Sequence, residues 1–143
     1  MDEKLKILIA DDSVLYRKII SQAVEETEIA EVAILVENGE KVLKSLEKNE
    51  LDAVLLDISM PVMDGLSCLE KLKVKHPALP VIMISSNQGK NAENVLEALK
   101  LGALDFIVKP LDKDYESNME IFVRLLRELF RQIKRKKIQG SQL

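Results

Sequence analysis

The sequence has one cysteine, one histidine and no apolar run longer than a handful of residues. A single cysteine, Cys68, excludes an internal disulfide and a zinc site built from several cysteines. Apolar runs this short exclude a membrane-spanning helix, and the charged beginning MDEKLKILIADD is not typical of a secretory signal. A net charge of −3 gives no general reason to expect nucleic-acid binding. The chain is therefore expected to be cytoplasmic, in direct contact with neither nucleic acid nor membrane.

Two common kinds of active site also lack their sequence signatures. A serine hydrolase would need His76, the only histidine, but His76 precedes Pro77 at a predicted helix end and no nucleophile-elbow motif accompanies it. No glycine-rich nucleotide loop is present, neither a Walker A run nor G-x-G-x-x-G. Both His76 and Cys68 are therefore interpreted as structural residues.

What the sequence does contain is an alternation of strand-like apolar runs with amphipathic helix-like stretches. The predicted strands are Leu5–Ala10, Glu31–Val36, Ala53–Leu56, Val81–Ile84 and Leu104–Val108. The predicted helices are Val14–Glu26, Glu40–Lys48, Leu66–Lys75, Ala92–Leu101 and, approximately, Ser117–Lys137. Strict alternation favours a parallel sheet with helices on both faces, and a closed barrel would need more such units. The expected fold class is α/β, a doubly wound five-stranded parallel sheet of order 2-1-3-4-5, flavodoxin-like.

Polar side chains follow four of the five predicted strands. The stretch LDAVLLDISMPVMDG carries a buried strand directly into Asp57, and the first strand runs into Asp11 and Asp12. Ser85 follows the fourth strand and Lys109 follows the fifth. A lone aspartate at a strand end would serve solubility, but in the order 2-1-3-4-5 these groups meet at the switch-point crevice. The convergence predicts a functional site at this edge of the sheet.

The three acids need a partner of opposite charge. Two unit charges about 4 Å apart repel by about 4 kcal/mol at an effective dielectric constant near 20. A hard divalent cation would relieve this repulsion, and ligands that are all oxygen favour magnesium. An acid, a magnesium ion, a lysine and a hydroxyl are typical of phosphoryl transfer. Asp57 is then the predicted nucleophile, which would form an aspartyl phosphate.

At these residues the sequence resembles the receiver domain of bacterial response regulators. The resemblance rests on DDS after the first strand, LLDISMPVMDG around the third, the serine that closes the fourth and GALDFIVKP at the fifth. It covers about residues 4–135, nearly the whole chain. The stretches ISSNQGKN and GALDFIVKP look most like the receiver domain of the chemotaxis methylesterase.

The resemblance implies a phosphorylation-dependent signalling switch of a two-component system. A partner histidine kinase would donate its phosphoryl group to Asp57. Asp11, Asp12 and Asp57, with the backbone carbonyl of Ser59, would hold Mg²⁺. Ser59 and Asn87 lie where they would tune the lifetime of the phosphoryl group by controlling the access of water.

The resemblance also assigns roles to residues of the fourth and fifth strands. Ser85 and Lys109 would be catalytic, each binding an oxygen of the new phosphoryl group. The Lys109–Pro110 bond is expected to be cis. Phe106 occupies the aromatic switch position of the family and would act with Ser85, although a pure packing role for Phe106 is equally compatible with the sequence.

The expected domain organisation is a receiver (phosphoacceptor) domain over residues 1–137 and a C-terminal tail, or the start of a linker, over 138–143. Ile121, Val123 and Leu125 lie beside the main apolar stripe of the last helix, so they are expected either to be partly buried against the fourth helix or to be available to a partner on the helix 4–strand 5–helix 5 surface. That partner would be an effector domain, a target protein or a second copy in a homodimer. The basic stretch RQIKRKK is interpreted as a solvated helix end rather than a patch for phosphate or membranes.

Three alternatives remain beside a receiver from a methylesterase-like regulator. The chain would be a stand-alone single-domain response regulator, a receiver-like fold that no longer signals, or a magnesium-dependent phosphatase that uses an aspartyl phosphate. The phosphatase needs a second aspartate two residues after the nucleophile, and Ser59 stands there. Beyond self-catalysed phosphoryl transfer and autodephosphorylation, no enzyme activity is expected of the receiver.

Overall fold

A computed structural model of the chain describes residues 3–86, 92–110 and 114–141. Within these ranges the strands are β1 (Leu5–Ala10), β2 (Ala30–Val36), β3 (Ala53–Asp57), β4 (Val81–Ser85) and β5 (Asp105–Val108). The helices are α1 (Val14–Glu26), α2 (Gly39–Lys48), α3 (Gly65–Lys75), α4 (Ala92–Lys100) and α5 (Tyr115–Ser141). Every predicted element is confirmed, and most of the observed ends lie within one or two residues of the predicted ones.

The five strands form one parallel sheet in the order β2-β1-β3-β4-β5, as the sequence predicts. Strand β1 pairs with β2 on one side and with β3 on the other, so Ala10 lies opposite both Val36 and Leu56. Asp57 lies opposite Ile84, one position before the end of β4. The register therefore brings the carboxyl ends of β1, β3 and β4 to the same edge, where the chain direction switches between β1 and β3.

Hydrophobic cores cover both faces of the sheet. Because successive strand side chains point to opposite faces, Ile7 and Ile9 pack with α1 and α5, whereas Leu8 and Ala10 pack with α2, α3 and α4. Cys68 is buried in the second of these cores, and burial raises the pKa of its thiol to about 12, which keeps it protonated. The interior strands are thus held from both sides, which makes their ends a rigid base for a site.

Helix α5 buries more of its surface than the sequence pattern predicts. Its main stripe is buried as expected, at Met119, Phe122, Leu126, Leu129 and Ile133. Val123 is also buried, and the expectation that it is available to a partner is wrong, because α5 packs against α1 as well as against the sheet. Ile121 and Leu125 remain 48% and 43% exposed.

Two further expectations are corrected by the structure. Helix α5 does not end near Lys137 but continues to Ser141, the last residue that the structure describes. The last turns are rich in lysine, arginine and glutamine, which are good helix formers, and they contain no proline. The Lys109–Pro110 bond is trans, the isomer of lower energy, where a cis bond is expected. Among the described helices none has the length and apolar character needed to cross a membrane.

Candidate functional site

The three predicted acids converge at the carboxyl edge of the sheet. Asp57 is the last residue of β3, and Asp11 and Asp12 follow β1 directly. One carboxylate oxygen from each of the three lies within 4.8 Å of the others. Asp11 is completely buried and Asp57 is only 4% exposed, whereas Asp12 faces solvent. The arrangement is an acidic pocket with an open side at Asp12.

Lys109 supplies the positive charge of this pocket. Its Nζ lies 2.6 Å from Asp11 Oδ2 and 3.4 Å from Asp57 Oδ2, and its side chain is almost completely buried. The backbone N–H of Lys109 donates to the carbonyl of Ser85 at 2.8 Å, which joins the ends of β4 and β5. Lys109 therefore touches both buried acids at once and offsets part of their mutual repulsion.

Ser85 and Ser59 line the same cleft as Asp57 and Lys109. Ser85 is buried at the end of β4, and the backbone N–H of Ser59 lies 3.5 Å from Asp57 Oδ1, a long contact. The structure thus brings together every predicted residue of the metal and phosphoryl site. Asn87 lies outside the described residues, as does most of the ISSNQGKN stretch.

Phe106 lies away from the acidic pocket that the other predicted site residues form. It is half-buried on β5, opposite Met83 of β4, and packs against the core formed with α2, α3 and α4. This packing agrees with a structural role for the ring. Its role as a switch stays a prediction.

The loop between β3 and α3 holds Asp57 by a close backbone approach. Gly65 begins α3, and its N–H donates to the carbonyl of Ile58 at 2.9 Å. A Cβ atom at position 65 would lie 2.3 Å from the carbonyl oxygen of Asp57 and 2.7 Å from Ile58 Cα. The Asp64 side chain accepts from Ser67 N–H as the N-cap of α3. The Asp-Gly pair therefore starts the helix directly on the backbone that carries the acid.

The same loop contains a strained residue. Val62 has a φ of 70°, in the left-handed region that β-branched residues rarely adopt, and the N–H of Met63 donates back to the carbonyl of Pro61 at 2.7 Å. This three-residue turn is tight. The loop is thereby held close to the end of β3.

The first turn of α1 holds the other side of the pocket and contains two residues that sequence reasoning missed. The Ser13 side chain accepts from Tyr16 N–H as the N-cap, and the Ser13 N–H donates to Asp11 Oδ1 at 2.9 Å. Arg17 Nη1 donates to the backbone carbonyl of Asp11 at 2.7 Å. The Tyr16 ring lies against the Lys109 ammonium, 4.4 Å from ring centroid to Nζ. The sequence contains one indication of their role. A helix predicted to begin at Val14 places Tyr16 and Arg17 within one turn of the acids that precede it.

Burial controls the electrostatics of Asp57. It raises the pKa of the Asp57 carboxyl from its ordinary value of 3.8 to about 6. The charge of Lys109 opposes this rise, and the neighbouring Asp11 carboxylate adds to it. Burial therefore disfavours the ionised form of Asp57 even though Lys109 lies beside it.

The donor set fits a hard cation. Asp11 Oδ2 is buried and has no hydrogen-bond partner among the described residues, since its 2.6 Å contact with Lys109 Nζ lacks hydrogen-bond geometry. A buried carboxylate oxygen in this position retains lone pairs for a ligand. With one oxygen each from three carboxylates, the pocket is able to hold a divalent metal ion.

Comparisons with known proteins agree with this geometry. The family model for the response regulator receiver domain matches residues 7–117. A protein-glutamate methylesterase/protein-glutamine glutaminase of Halalkalibacterium halodurans is 43% identical over 110 residues, which are 77% of this chain and 32% of that protein. The protein of the same description from Bacillus subtilis is 42% identical over 106 residues, 74% of this chain and 29% of that protein. The chain thus spans about a third of the length of the curated relatives it matches.

Solved structures share both the fold and the family. The response regulator domain of CheB from Thermotoga maritima has a TM-score of 0.79 and 28% identity, covering 92% of this chain and 96% of that one. A chain from the CheX-CheY-BeF3-Mg²⁺ complex of Borrelia burgdorferi has a TM-score of 0.69 and 35% identity, covering 83% of this chain and 88% of that one. Together with the family match over most of the chain, these similarities show that the chain belongs to the response regulator receiver domain family and resembles the receivers of CheB-type chemotaxis regulators.

Proposed function

We propose that the chain works as a phosphorylation-controlled switch in two-component signalling, with Asp57 as the phosphoryl acceptor. The observation that carries this proposal is the buried carboxylate of Asp57, which lies beside the acids that follow β1 and 3.4 Å from the ammonium of Lys109. The match to the receiver family over residues 7–117 supports it. A carboxylate in this position can act as a nucleophile, and the neighbouring ammonium of Lys109 would stabilise negative charge that develops on the transferred group.

In the proposed reaction, a carboxylate oxygen of Asp57 attacks the phosphorus of a phosphohistidine on a partner kinase. The new O–P bond forms as the P–N bond breaks, and the imidazole leaves with the electron pair and takes up a proton from water. Lys109 and Ser85 line the same cleft and would bind phosphoryl oxygens as charge moves onto them. The chain itself supplies the nucleophile and the positioning groups, and the kinase supplies the phosphoryl group.

We infer that the metal of this site is magnesium. Asp11, Asp12 and Asp57 would be its carboxylate ligands, with the Ser59 carbonyl oxygen as a further ligand. When bound, the ion would neutralise charge on the phosphoryl oxygens. The similar Borrelia burgdorferi chain comes from a complex whose description names CheY, BeF3 and Mg²⁺, which supports the same ligand chemistry here.

Phosphorylation by a small donor tests the proposal. With Mg²⁺ and acetyl phosphate, the chain is expected to gain one labile phosphoryl group, measured by intact-protein mass spectrometry. Asp57→Asn should abolish the gain, and Asp12→Asn should raise the Mg²⁺ concentration needed for half-maximal labelling. Asp52→Asn is the matched control, because Asp52 precedes the same strand at the opposite edge of the sheet, where it accepts from Lys6 N–H. Normal labelling of Asp57→Asn would contradict the assignment.

We further propose that phosphorylation changes the surface of α4, β5 and α5. Ser85 and Phe106 lie on neighbouring strands, and the apolar side chains Leu96, Ile121 and Leu125 are exposed on the two helices. Moving such an equilibrium from 1:99 to 99:1 requires roughly 5.5 kcal/mol, which charged hydrogen bonds to a phosphoryl group largely supply. Beryllofluoride, a phosphoryl mimic, should therefore shift amide resonances on all three elements. Asp57→Asn is the control, and shifts confined to the acidic pocket would contradict the switch.

The output of the switch is also a proposal. The curated relatives are methylesterases of which the matched segment is only about a third, so an effector region of that kind is the proposed partner of the exposed α4–β5–α5 surface. The division into a receiver over 1–137 and a linker from 138 belongs to the same proposal. The match to longer methylesterases does not favour a stand-alone regulator, and a homodimer and a cytoplasmic location stay predictions.

A further inference from the structure

We propose that Tyr16 is the positioning residue of Lys109, an inference that rests on the proposed function of the site. The Lys109 Nζ lies over the Tyr16 ring, 4.4 Å from its centroid. This distance is within the range of a cation–π contact. Tyr16 belongs to the first turn of α1, so the contact joins a helix to the end of β5.

The ring and two carboxylates partly enclose the ammonium. Asp11 Oδ2 lies 2.6 Å from Nζ on one side and Asp57 Oδ2 lies 3.4 Å away on another. A lysine side chain has four rotatable bonds, and two carboxylates alone would allow its head to swing toward water. The Tyr16 face lies against a further side of the ammonium and accepts the charge without offering a competing hydrogen bond. The almost complete burial of Lys109 agrees with this enclosure.

The orientation of the ring is itself held. Tyr16 is half-buried and packs against the core formed by the sheet with α1 and α5. Its hydroxyl donates to the carbonyl of Pro110 at 3.3 Å, a contact between residues 94 positions apart in the sequence. Tyr16 therefore contacts both the charge of Lys109 and the backbone immediately after it, which is the geometry expected of a residue that fixes where the lysine rests.

The consequence concerns readiness for phosphoryl transfer. A lysine already held over the acids, with little water around it, meets a phosphoryl oxygen without first losing solvent or searching rotamers. Removing the ring should leave the acids in place but let the ammonium move. The expected effect is about a fivefold decrease in the initial rate of phosphorylation, in the range of a partly desolvated cation–π contact.

Two variants distinguish the effect of the Tyr16 ring from the effect of its hydroxyl. Tyr16→Leu removes the aromatic face and keeps apolar bulk, whereas Tyr16→Phe keeps the face and loses the contact with Pro110. With saturating Mg²⁺ and acetyl phosphate, we expect about a fivefold slower initial rate for Tyr16→Leu and about a twofold slower rate for Tyr16→Phe. Tyr115→Leu is the matched control, because Tyr115 is also half-buried against the same core but lines the groove between α1 and α5.

A second measurement reads the position of the lysine without metal or phosphodonor. In the metal-free protein, the Lys109 Cε protons should show an upfield ring-current shift by NMR, kept in Tyr16→Phe and lost in Tyr16→Leu. If Tyr16→Leu does not fold, Tyr16→Met replaces it. The proposal is overturned if the Cε protons resonate at ordinary lysine values, if Tyr16→Phe is as slow as Tyr16→Leu, or if Tyr115→Leu slows the reaction equally. If the unchanged chain takes up no phosphoryl group, the proposed function fails, while the NMR result still decides where Lys109 rests.

Discussion

Gly65→Ala is expected to lower the free energy of unfolding by about 3 kcal/mol and to slow phosphorylation of Asp57 sharply. The added Cβ would lie 2.3 Å from the Asp57 carbonyl oxygen and 2.7 Å from Ile58 Cα. Both atoms belong to the backbone, so no side-chain rotation relieves the overlap. The end of β3 and the start of α3 must move apart, which displaces the acid that accepts the phosphoryl group. Urea unfolding and the acetyl phosphate assay measure the two effects.

Gly140→Ala is the control for this substitution. Gly140 also lies in a helix, but a Cβ there would meet nothing within 4 Å. Alanine is the better helix former, so this variant should be unchanged or more stable by up to about 1 kcal/mol. If Gly65→Ala were as stable as the unchanged protein, the predicted overlap of the added Cβ with the backbone of Asp57 and Ile58 would be wrong.

Asp57→Asn is expected to raise the stability of the metal-free protein at neutral and higher pH. Burial raises the pKa of the Asp57 carboxyl from 3.8 to about 6, so the folded protein holds this proton more tightly than the unfolded chain does. Above pH 6 the ionised form is therefore a cost to the fold. A difference of about two pKa units corresponds to roughly 3 kcal/mol, and we expect a gain of about 2 kcal/mol because the asparagine leaves Lys109 with one partner fewer.

The gain in stability from Asp57→Asn should depend on pH. As the pH falls from 7 through the folded pKa of about 6, the carboxyl takes up a proton and its cost to the native state disappears. The advantage of Asp57→Asn should therefore shrink below pH 6 and be lost near pH 4, where the unfolded chain is protonated as well. Urea unfolding of both proteins from pH 4 to 8 in the presence of a chelator measures the difference.

Asp64→Asn removes the same charge from the same loop and serves as the control. Asp64 is exposed and caps α3, and asparagine caps a helix equally well, so little change in stability is expected at any pH. A loss of stability in Asp57→Asn at pH 8 would show that the buried carboxylate favours the fold. Added Mg²⁺ should reduce the difference in stability between Asp57→Asn and the unchanged protein, because the ion stabilises the folded state that binds it.

The order and type of the structural elements were predictable because they depend on local pattern. Continuous apolar runs such as Val54–Leu56 mark strands that are covered on both faces, and amphipathic stretches such as Val14–Glu26 mark helices. Strict alternation of the two leaves few arrangements of the sheet. The end of α5 was missed because no proline follows Lys137, and the good helix formers of RQIKRKK are followed by four more helical residues, up to Ser141, despite the glycine among them.

The sequence by itself determined which groups meet at the site, since Asp11, Asp57, Ser85 and Lys109 stand at strand ends that a parallel sheet brings to one edge. Only the tertiary structure decided how they meet. That Lys109 lies closer to Asp11 than to Asp57 depends on side-chain packing across strands, as does its place over the Tyr16 ring. Likewise, Val123 is buried because α5 lies on α1. These contacts join residues far apart in the chain. Local sequence patterns do not predict the distances between such side chains.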